Sequence, residues 1–202
     1  MAEVLGGTTT LKLAETAHTA HAWRIHEIAG DFDLEDVWAL DTPGGPDDFG
    51  KLVKQFSSGN FPDGSPLPVR ALWALRWKLG ALLGLDERSS GLDTRVGSLR
   101  GKLPQDLRDT PTGPDEDWLP FTPLYRLDDE FAAEMANRTM HGVLHIAWVE
   151  DGQGGHRGQM AVLVKPNGLF GRLYMGFIKP FRYLIIYPAL MRMIAREWKG
   201  DS

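Results

Sequence analysis

The sequence predicts an α+β fold in which a curved antiparallel sheet wraps around a long C-terminal helix, an arrangement called helix-grip. Two observations indicate it. Two apolar segments, 139–150 and 157–165, flank an Asp-Gly-Gln-Gly-Gly turn, which is typical of a β-hairpin. An apolar, aromatic segment then runs over 169–198 with helical spacing, interrupted at Pro180 and Pro188. A sheet that ends in such a helix can enclose a pocket.

The front of the chain is expected to supply one strand and two helices. Residues 1–16 have the character of a loose lead-in, and 20–28 alternate apolar and polar side chains as a strand does. Asp33 is of an N-cap residue type, so we expect a short helix over 34–38. Apolar residues at helical spacing predict a second helix over 46–56.

The middle of the chain is predicted to hold a buried helix, a long loop and two strands. Residues 69–83 are apolar nearly all round, as in a helix buried on several sides. Residues 86–117 are an irregular excursion rich in Gly, Pro and charge, which we expect to be a mobile flap over the pocket entrance. Strands are expected over 121–127 and 130–136.

Composition excludes several classes of protein. The 202 residues predict a single domain, 1–202, of ordinary globular composition. The chain has no cysteine, which excludes disulfides, thiolate catalysis and cysteine-bound zinc. A net charge of -5 argues against nucleic acid as a partner. The longest uncharged stretch near the C-terminus, 183–191, is too short for a membrane span, so we expect a cytoplasmic protein.

Charge is unevenly distributed along the chain. From Arg138 onward there are 9 Lys and Arg against 4 Asp and Glu, whereas the remainder has 13 against 23. The basic C-terminal part is either a solvated helix face or a surface for an anionic ligand or membrane, and the sequence leaves both alternatives open.

Two rows of ionisable side chains occupy neighbouring predicted strands. His141 and His145 share one face of their strand, and Glu130 and Glu134 share one face of the preceding strand. Each row is either the wet face of the sheet or a source of acid–base chemistry. Because the residues that alternate with the histidines are apolar and should face the helix, we expect the two histidines to point outward.

No cofactor and no metal are expected. His18 and His21 lie near the lead-in, where a metal site is a weak alternative. The Gly-rich turn joins strand to strand, so it offers no helix N-terminus to a phosphate. The chain also has no nucleophile elbow, no zinc-protease motif and no dinucleotide fingerprint.

Several short motifs lie at 36–38 (Asp-Val-Trp), 98–100, 103–104, 137–141, 168–174 and 179–181 (Lys-Pro-Phe). Together they resemble DUF2867, a mainly bacterial family of unknown function that is similar to the SRPBCC, or START-like, superfamily. The resemblance implies a helix-grip fold with a cavity and supplies no catalytic residue. It also implies a histidine after the last motif, where this chain has Arg182.

Aromatic side chains are the candidates for lining that cavity, since apolar ligand pockets are rich in them. The candidates are Trp73, Trp77, Tyr125, Trp148, Tyr174, Phe177 and Phe181.

The leading functional hypothesis is a helix-grip protein that binds a small apolar or amphipathic molecule without catalysis. The first alternative is an enzyme of cyclase or dehydratase type that uses His141, His145 or Glu134 in the same cavity. The second is a module that packs an exposed aromatic surface on a protein or membrane. The sequence leaves open whether the chain forms a homodimer.

Overall fold

The computed structural model describes residues 11–58, 92, 96–112 and 121–200. Its strands are β1 (Leu11–Lys12), β2 (Asp33–Ala39), β3 (Thr122–Arg126), β4 (Glu130–Ala136), β5 (Met140–Glu150) and β6 (His156–Pro166). They form one sheet in the order β1-β2-β6-β5-β4-β3, and every neighbouring pair is antiparallel. The four strands predicted after residue 120 are therefore confirmed.

Helices precede, interrupt and follow these strands. They are α1 (Thr16–Thr19), α2 (Ile25–Ile28), α3 (Phe49–Ser58), α4 (Gln105–Arg108), α5 (Gly168–Phe181) and α6 (Tyr187–Lys199). Two 3₁₀ turns, Pro46–Asp48 and Leu99–Lys102, lead into α3 and α4, and a π-helical turn, Arg182–Ile186, joins α5 to α6. The α+β class and the long C-terminal helix are confirmed.

The first face of the sheet carries α3 and α6. Ile146 and Trp148 of β5 belong to one buried cluster with Tyr187 and Trp198 of α6. The rings of Trp148 and Trp198 are 5.8 Å apart. The indole of Trp148 also donates a hydrogen bond to the carbonyl of Gly45 over 2.9 Å. The C-terminal segment therefore packs across this face, as predicted.

The second face is also covered, and here the prediction is wrong. Three leucines from the second 3₁₀ turn, the residue after it and α4 cover this face together with apolar residues around α2. The sheet therefore lies between two layers. These covering residues are Trp23, Ile25, Ile28, Leu99, Leu103 and Leu107. As a result His141, His145, Glu130 and Glu134 are buried, although the sequence pattern predicts a wet face.

The first predicted strand and helix are exchanged in the structure. The segment 20–28 contains α2 and no strand, and 34–38 belongs to β2 and not to a helix. The reason is burial: residues 36–40 are covered on both faces, so their side chains do not alternate as those of a half-buried strand would. The apolar pattern of such a short strand cannot be told from that of a helix.

The predicted flap is only partly described. Within it, Leu99, Leu103 and Leu107 are buried, so residues 99–107 contribute to the core. The mobility of the segment stays a prediction. The predicted helix over 69–83 lies outside the described residues.

Two predicted breaks in regular structure are confirmed. In the β5–β6 turn, Asp151 Oδ1 accepts hydrogen bonds from the backbone N–H groups of Gln153 and Gly155. Near the C-terminus the π turn begins two residues after Pro180, and Pro188 lies in the first turn of α6. Each proline removes a backbone donor, which explains why the helix is interrupted here.

Candidate functional site

The hairpin of β4 and β5 brings the two ionisable rows together. In its register Glu134 lies opposite Val143, and His145 lies opposite Ala132. Each histidine is therefore displaced by two residues from a glutamate on the neighbouring strand, within reach of a diagonal contact. Two buried pairs result, and they differ in what surrounds them.

The His141–Glu134 pair is an anchor. His141 Nε2 lies 2.7 Å from Glu134 Oε2. The same carboxylate accepts hydrogen bonds from the hydroxyl of Ser98 (2.5 Å) and from the backbone N–H of Leu99 (3.0 Å). Since Ser98 and Leu99 begin the layer over this face, the carboxylate holds that layer on the sheet.

The His145–Glu130 pair is set among further donors. His145 Nε2 lies 2.8 Å from Glu130 Oε2, and the hydroxyl of Tyr125 lies 3.3 Å from the same oxygen. Glu130 Oε1 accepts the backbone N–H of Arg24 over 3.0 Å. Three donors converge on this buried side chain, which suits a carboxylate, because a carboxylate only accepts hydrogen bonds.

Two more histidines extend this pair toward the surface. His145 Nδ1 lies 3.1 Å from Nε2 of His18, a fully buried residue of α1. His18 Nδ1 in turn lies 3.1 Å from Nε2 of His26, a half-buried residue of α2. We call these four side chains, His26, His18, His145 and Glu130, the His relay.

Hydrogen-bond chemistry gives the relay a direction. A carboxylate cannot donate, so the proton of the His145–Glu130 contact belongs to His145 Nε2. In neutral His145 the other nitrogen, Nδ1, must then accept, so its donor is the Nε2–H group of His18. Neutral His18 donates from Nε2, so its Nδ1 must accept a hydrogen bond, and the donor is the Nε2–H group of His26. All three N–H groups therefore point toward Glu130.

Burial keeps the middle of the relay neutral. It lowers the pKa of His18 from 6.5 to about 3, and the positive charge that His145 or His26 carries when protonated acts in the same direction. Burial is also the largest reason why the pKa of His26 is lowered. At the other end, burial and then the charge of Glu130 raise the pKa of Tyr125, so this hydroxyl keeps its proton.

An open groove of about 960 Å³ reaches the carboxylate end of the relay. Trp23, Trp148 and Glu130 line it, with Asp129 and Glu150 among its polar residues. The ring of Trp23, which lines the groove, is 5.5 Å from that of His145.

The aromatic candidates from the sequence are dispersed. Trp73 and Trp77 lie outside the described residues. Tyr125 bonds to the relay, and Trp148 lines the groove from the first face of the sheet. Tyr174 is half-buried on α5, where Phe177 and Phe181 are exposed. Of these aromatic candidates, the described structure places only Tyr125 and Trp148 beside the candidate site.

A second polar cluster, which the sequence pattern does not predict, lies on the first face. The buried carboxylate of Asp36 accepts hydrogen bonds from Arg182 (2.9 Å), from the hydroxyl of Tyr187 (2.7 Å) and from that of Tyr183. Burial, followed by the hydrogen bond to Asp36, raises the pKa of Tyr183. The cluster ties the π turn to β2, which is the role that Arg182 has in this chain.

The described side chains do not form a metal site. Among the residues that the structure describes, no three His, Asp or Glu side chains are placed to hold a metal ion.

The comparison with protein families gives one match. The sequence model of a family described as "Protein of unknown function (DUF2867)" matches residues 28–189. The matched range includes Glu130 and His145 and begins after His18 and His26. No curated protein and no solved structure matches the chain.

Proposed function

The chain belongs to the DUF2867 family of proteins of unknown function, and we propose that it binds a small molecule in the groove beside Glu130 and exchanges a proton with it. The observation that carries this proposal is the His relay itself. Contacts of 3.1, 3.1 and 2.8 Å join the half-buried His26 to Glu130, a buried residue of the groove lining.

A purely structural role accounts for the His141–Glu134 pair but not for the two further histidines beside the His145–Glu130 pair. The His141–Glu134 pair shows what an anchor requires, namely one imidazole and two donors from the segment that it holds. The His145–Glu130 pair continues instead through two further imidazoles, one of them fully buried. A neutral imidazole can take a proton at Nδ1 while it releases another from Nε2. A row of three such rings suits proton movement between solvent and Glu130.

Glu130 has room for a further partner. A carboxylate offers about four acceptor positions, and the described contacts use two on Oε2 and one on Oε1. A bound molecule that gives a proton to Oε1 would leave the three existing hydrogen bonds in place. Glu130 is then the general base, or, once the relay has protonated it, the general acid.

The groove favours neutral or cationic molecules. Its walls include the indoles of Trp23 and Trp148, which suit an apolar body, and its residues include Asp128, Asp129 and Glu150. The cation of Arg24, which also lines the groove, is already paired with Glu27 and Asp106. Anions would meet these carboxylates, whereas a neutral carbonyl compound would not be repelled. The reaction class that fits is abstraction or return of a proton beside a carbonyl group, as in isomerisation or dehydration.

Binding without catalysis is the second candidate, and the apolar walls of the groove support it. The cavity that the sequence predicts between the sheet and the C-terminal helix stays a prediction, as does a cytoplasmic location. The relation to START-like proteins belongs to the same proposal. It is supported by the α+β fold with an antiparallel sheet and a long C-terminal helix.

Deuterium incorporation tests the proposal even though the natural substrate is unidentified. We expect the wild-type protein in D2O to exchange C–H protons next to the carbonyl of at least one neutral or cationic ketone or ester in a panel. Glu130→Gln keeps the size of the side chain and removes its basicity, so exchange should fall by about 10²–10⁴-fold. Proton NMR follows the loss of the C–H signal.

The matched control is Asp109→Asn, which removes a carboxylate at an exposed position that does not line the groove. This variant should exchange at the wild-type rate. Binding is followed separately by the fluorescence of the groove indoles. If compounds bind the wild-type protein but exchange their C–H protons no faster than in buffer, the proton-exchange proposal is contradicted. Binding without catalysis would then be the function that fits. Exchange that survives in a folded Glu130→Gln variant would contradict the assignment of Glu130.

A further inference from the structure

The exposed apolar side chains of the described structure are concentrated on one helix. Every large hydrophobic residue with high exposure there lies within 169–184. They are Leu169, Phe170, Leu173, Phe177, Phe181 and Leu184, with exposed fractions from 40% to 75%. Scattered exposed leucines need no explanation, but a contiguous group of this kind marks an interaction site. Five of them lie on α5 and Leu184 lies in the π turn that follows it, and we call the six residues together the apolar face of α5.

The packing of α5 on the rest of the protein leaves this face pointing outward. Gly171 and Met175, one helical turn apart, are buried on the inner side of the helix. A Cβ atom at Gly171 would collide with the carbonyl oxygen of Thr139, so the backbone of α5 lies directly against the residue that precedes β5. Residues at positions 169, 173 and 177 recur every four residues, so they share the outward side.

The charge pattern around the face favours an anionic partner. Residues 168–186 include three cations, Arg172, Lys179 and Arg182, and no aspartate or glutamate. Arg182 is bound to Asp36 and Lys179 lies 3.4 Å from Glu35, whereas Arg172 is exposed on the flank of the helix. Apolar side chains on one side with basic ones beside them are the pattern of a helix that lies in a membrane interface.

The length of the helix agrees with lying on a membrane rather than crossing it. The 14 residues of α5 extend over about 21 Å, shorter than the hydrocarbon core of a bilayer. In the part of the chain that the structure describes, no helix has the length and apolar character needed for a transmembrane span.

We propose that the apolar face of α5 docks on the surface of a membrane that contains anionic lipids. Leu173 and Phe177 enter the boundary between headgroups and acyl chains, and Arg172 contacts the headgroups. This inference does not depend on the proposed function, because α5 contributes no residue to the groove.

Vesicle co-sedimentation tests the proposal with lipids of stated composition. The full chain should bind vesicles of phosphatidylcholine with phosphatidylglycerol more tightly than vesicles of phosphatidylcholine alone. Leu173→Gln/Phe177→Gln should weaken binding to both by at least about tenfold, since each side chain loses its transfer into an apolar environment. Arg172→Gln should weaken binding to the anionic vesicles alone by about fivefold.

The controls separate this proposal from its rival. Arg192→Gln removes an exposed cation on α6, away from the apolar face, and should bind vesicles as the wild type does. Leu173 and Phe177 are 66% and 71% exposed, so their replacement should leave the melting temperature unchanged. Binding that the double variant retains would overturn the proposal. So would a dimer in sedimentation velocity that the double variant abolishes, if no vesicle binding is seen; this would assign the face to a second copy of the chain.

Discussion

Replacement of Glu134 by alanine is expected to lower the free energy of unfolding by about 3–5 kcal/mol. The change leaves His141 buried without its carboxylate, and it removes the acceptor for the Ser98 hydroxyl and the Leu99 N–H. Breaking a buried pair on one side is costly because the remaining partner cannot regain its water. Urea denaturation followed by tryptophan fluorescence measures the difference.

The matched control for this variant is Glu150→Ala, a change of the same chemistry at an exposed position on β5. It should shift the free energy of unfolding by less than about 0.5 kcal/mol. If Glu134→Ala lost no more than this control, the carboxylate would not be what holds residues 98–107 on the sheet.

Acid is expected to destabilise the protein through His18. The unfolded chain takes up this proton below pH 6.5, whereas the native protein takes it up only near pH 3, because burial lowers the pKa. Well above pH 6.5 the residue is neutral in both states and has no effect. When the pH falls from about 8 to about 5, protonation of His18 in the unfolded chain lowers the free energy of unfolding by about 2 kcal/mol. This decrease continues to grow toward about pH 3.

His18→Gln isolates this contribution. The glutamine amide can still donate to His145 and accept from His26, but it does not titrate. Denaturation curves across the same pH range should therefore fall less steeply for the variant than for the wild type, by about 2 kcal/mol at about pH 5. Parallel curves would show that His18 is charged, or reaches water, in the native protein.

The strands from 121 onward could be predicted because turn residues and apolar alternation are local signals. Which face would be wet could not be predicted in the same way. The layer over Glu130 and His145 comes from residues 23–28 and 99–107, far away in the sequence. Alternation shows that two sides of a strand differ, and it does not show what covers either side.

The sequence does contain one signal for the paired site. Glu130 and Glu134 on β4, and His141 and His145 on β5, have the same spacing and complementary chemistry on adjacent antiparallel strands. Rows that match in this way indicate cross-strand pairs rather than two solvated faces. No comparable signal marks His18 and His26, because their contact with His145 depends on how the N-terminal segment folds over the sheet.

The same limit applies to Asp36 and Arg182. They are 146 residues apart, and their hydrogen bond exists only because the π turn brings α5 and α6 back to β2. Nothing in the residues next to Asp36 indicates that partner, so the local pattern predicts a helix there and not a strand with a buried carboxylate.

The tautomers of the buried histidines test the His relay most directly. Long-range proton–nitrogen NMR of the nitrogen-labelled protein distinguishes Nδ1–H, Nε2–H and charged imidazole. The relay predicts an Nε2–H form for both His18 and His145, with His18 still neutral at about pH 5. An Nδ1–H form of either ring, or a charged His18, would break the line of donors to Glu130 and contradict the proposed proton path.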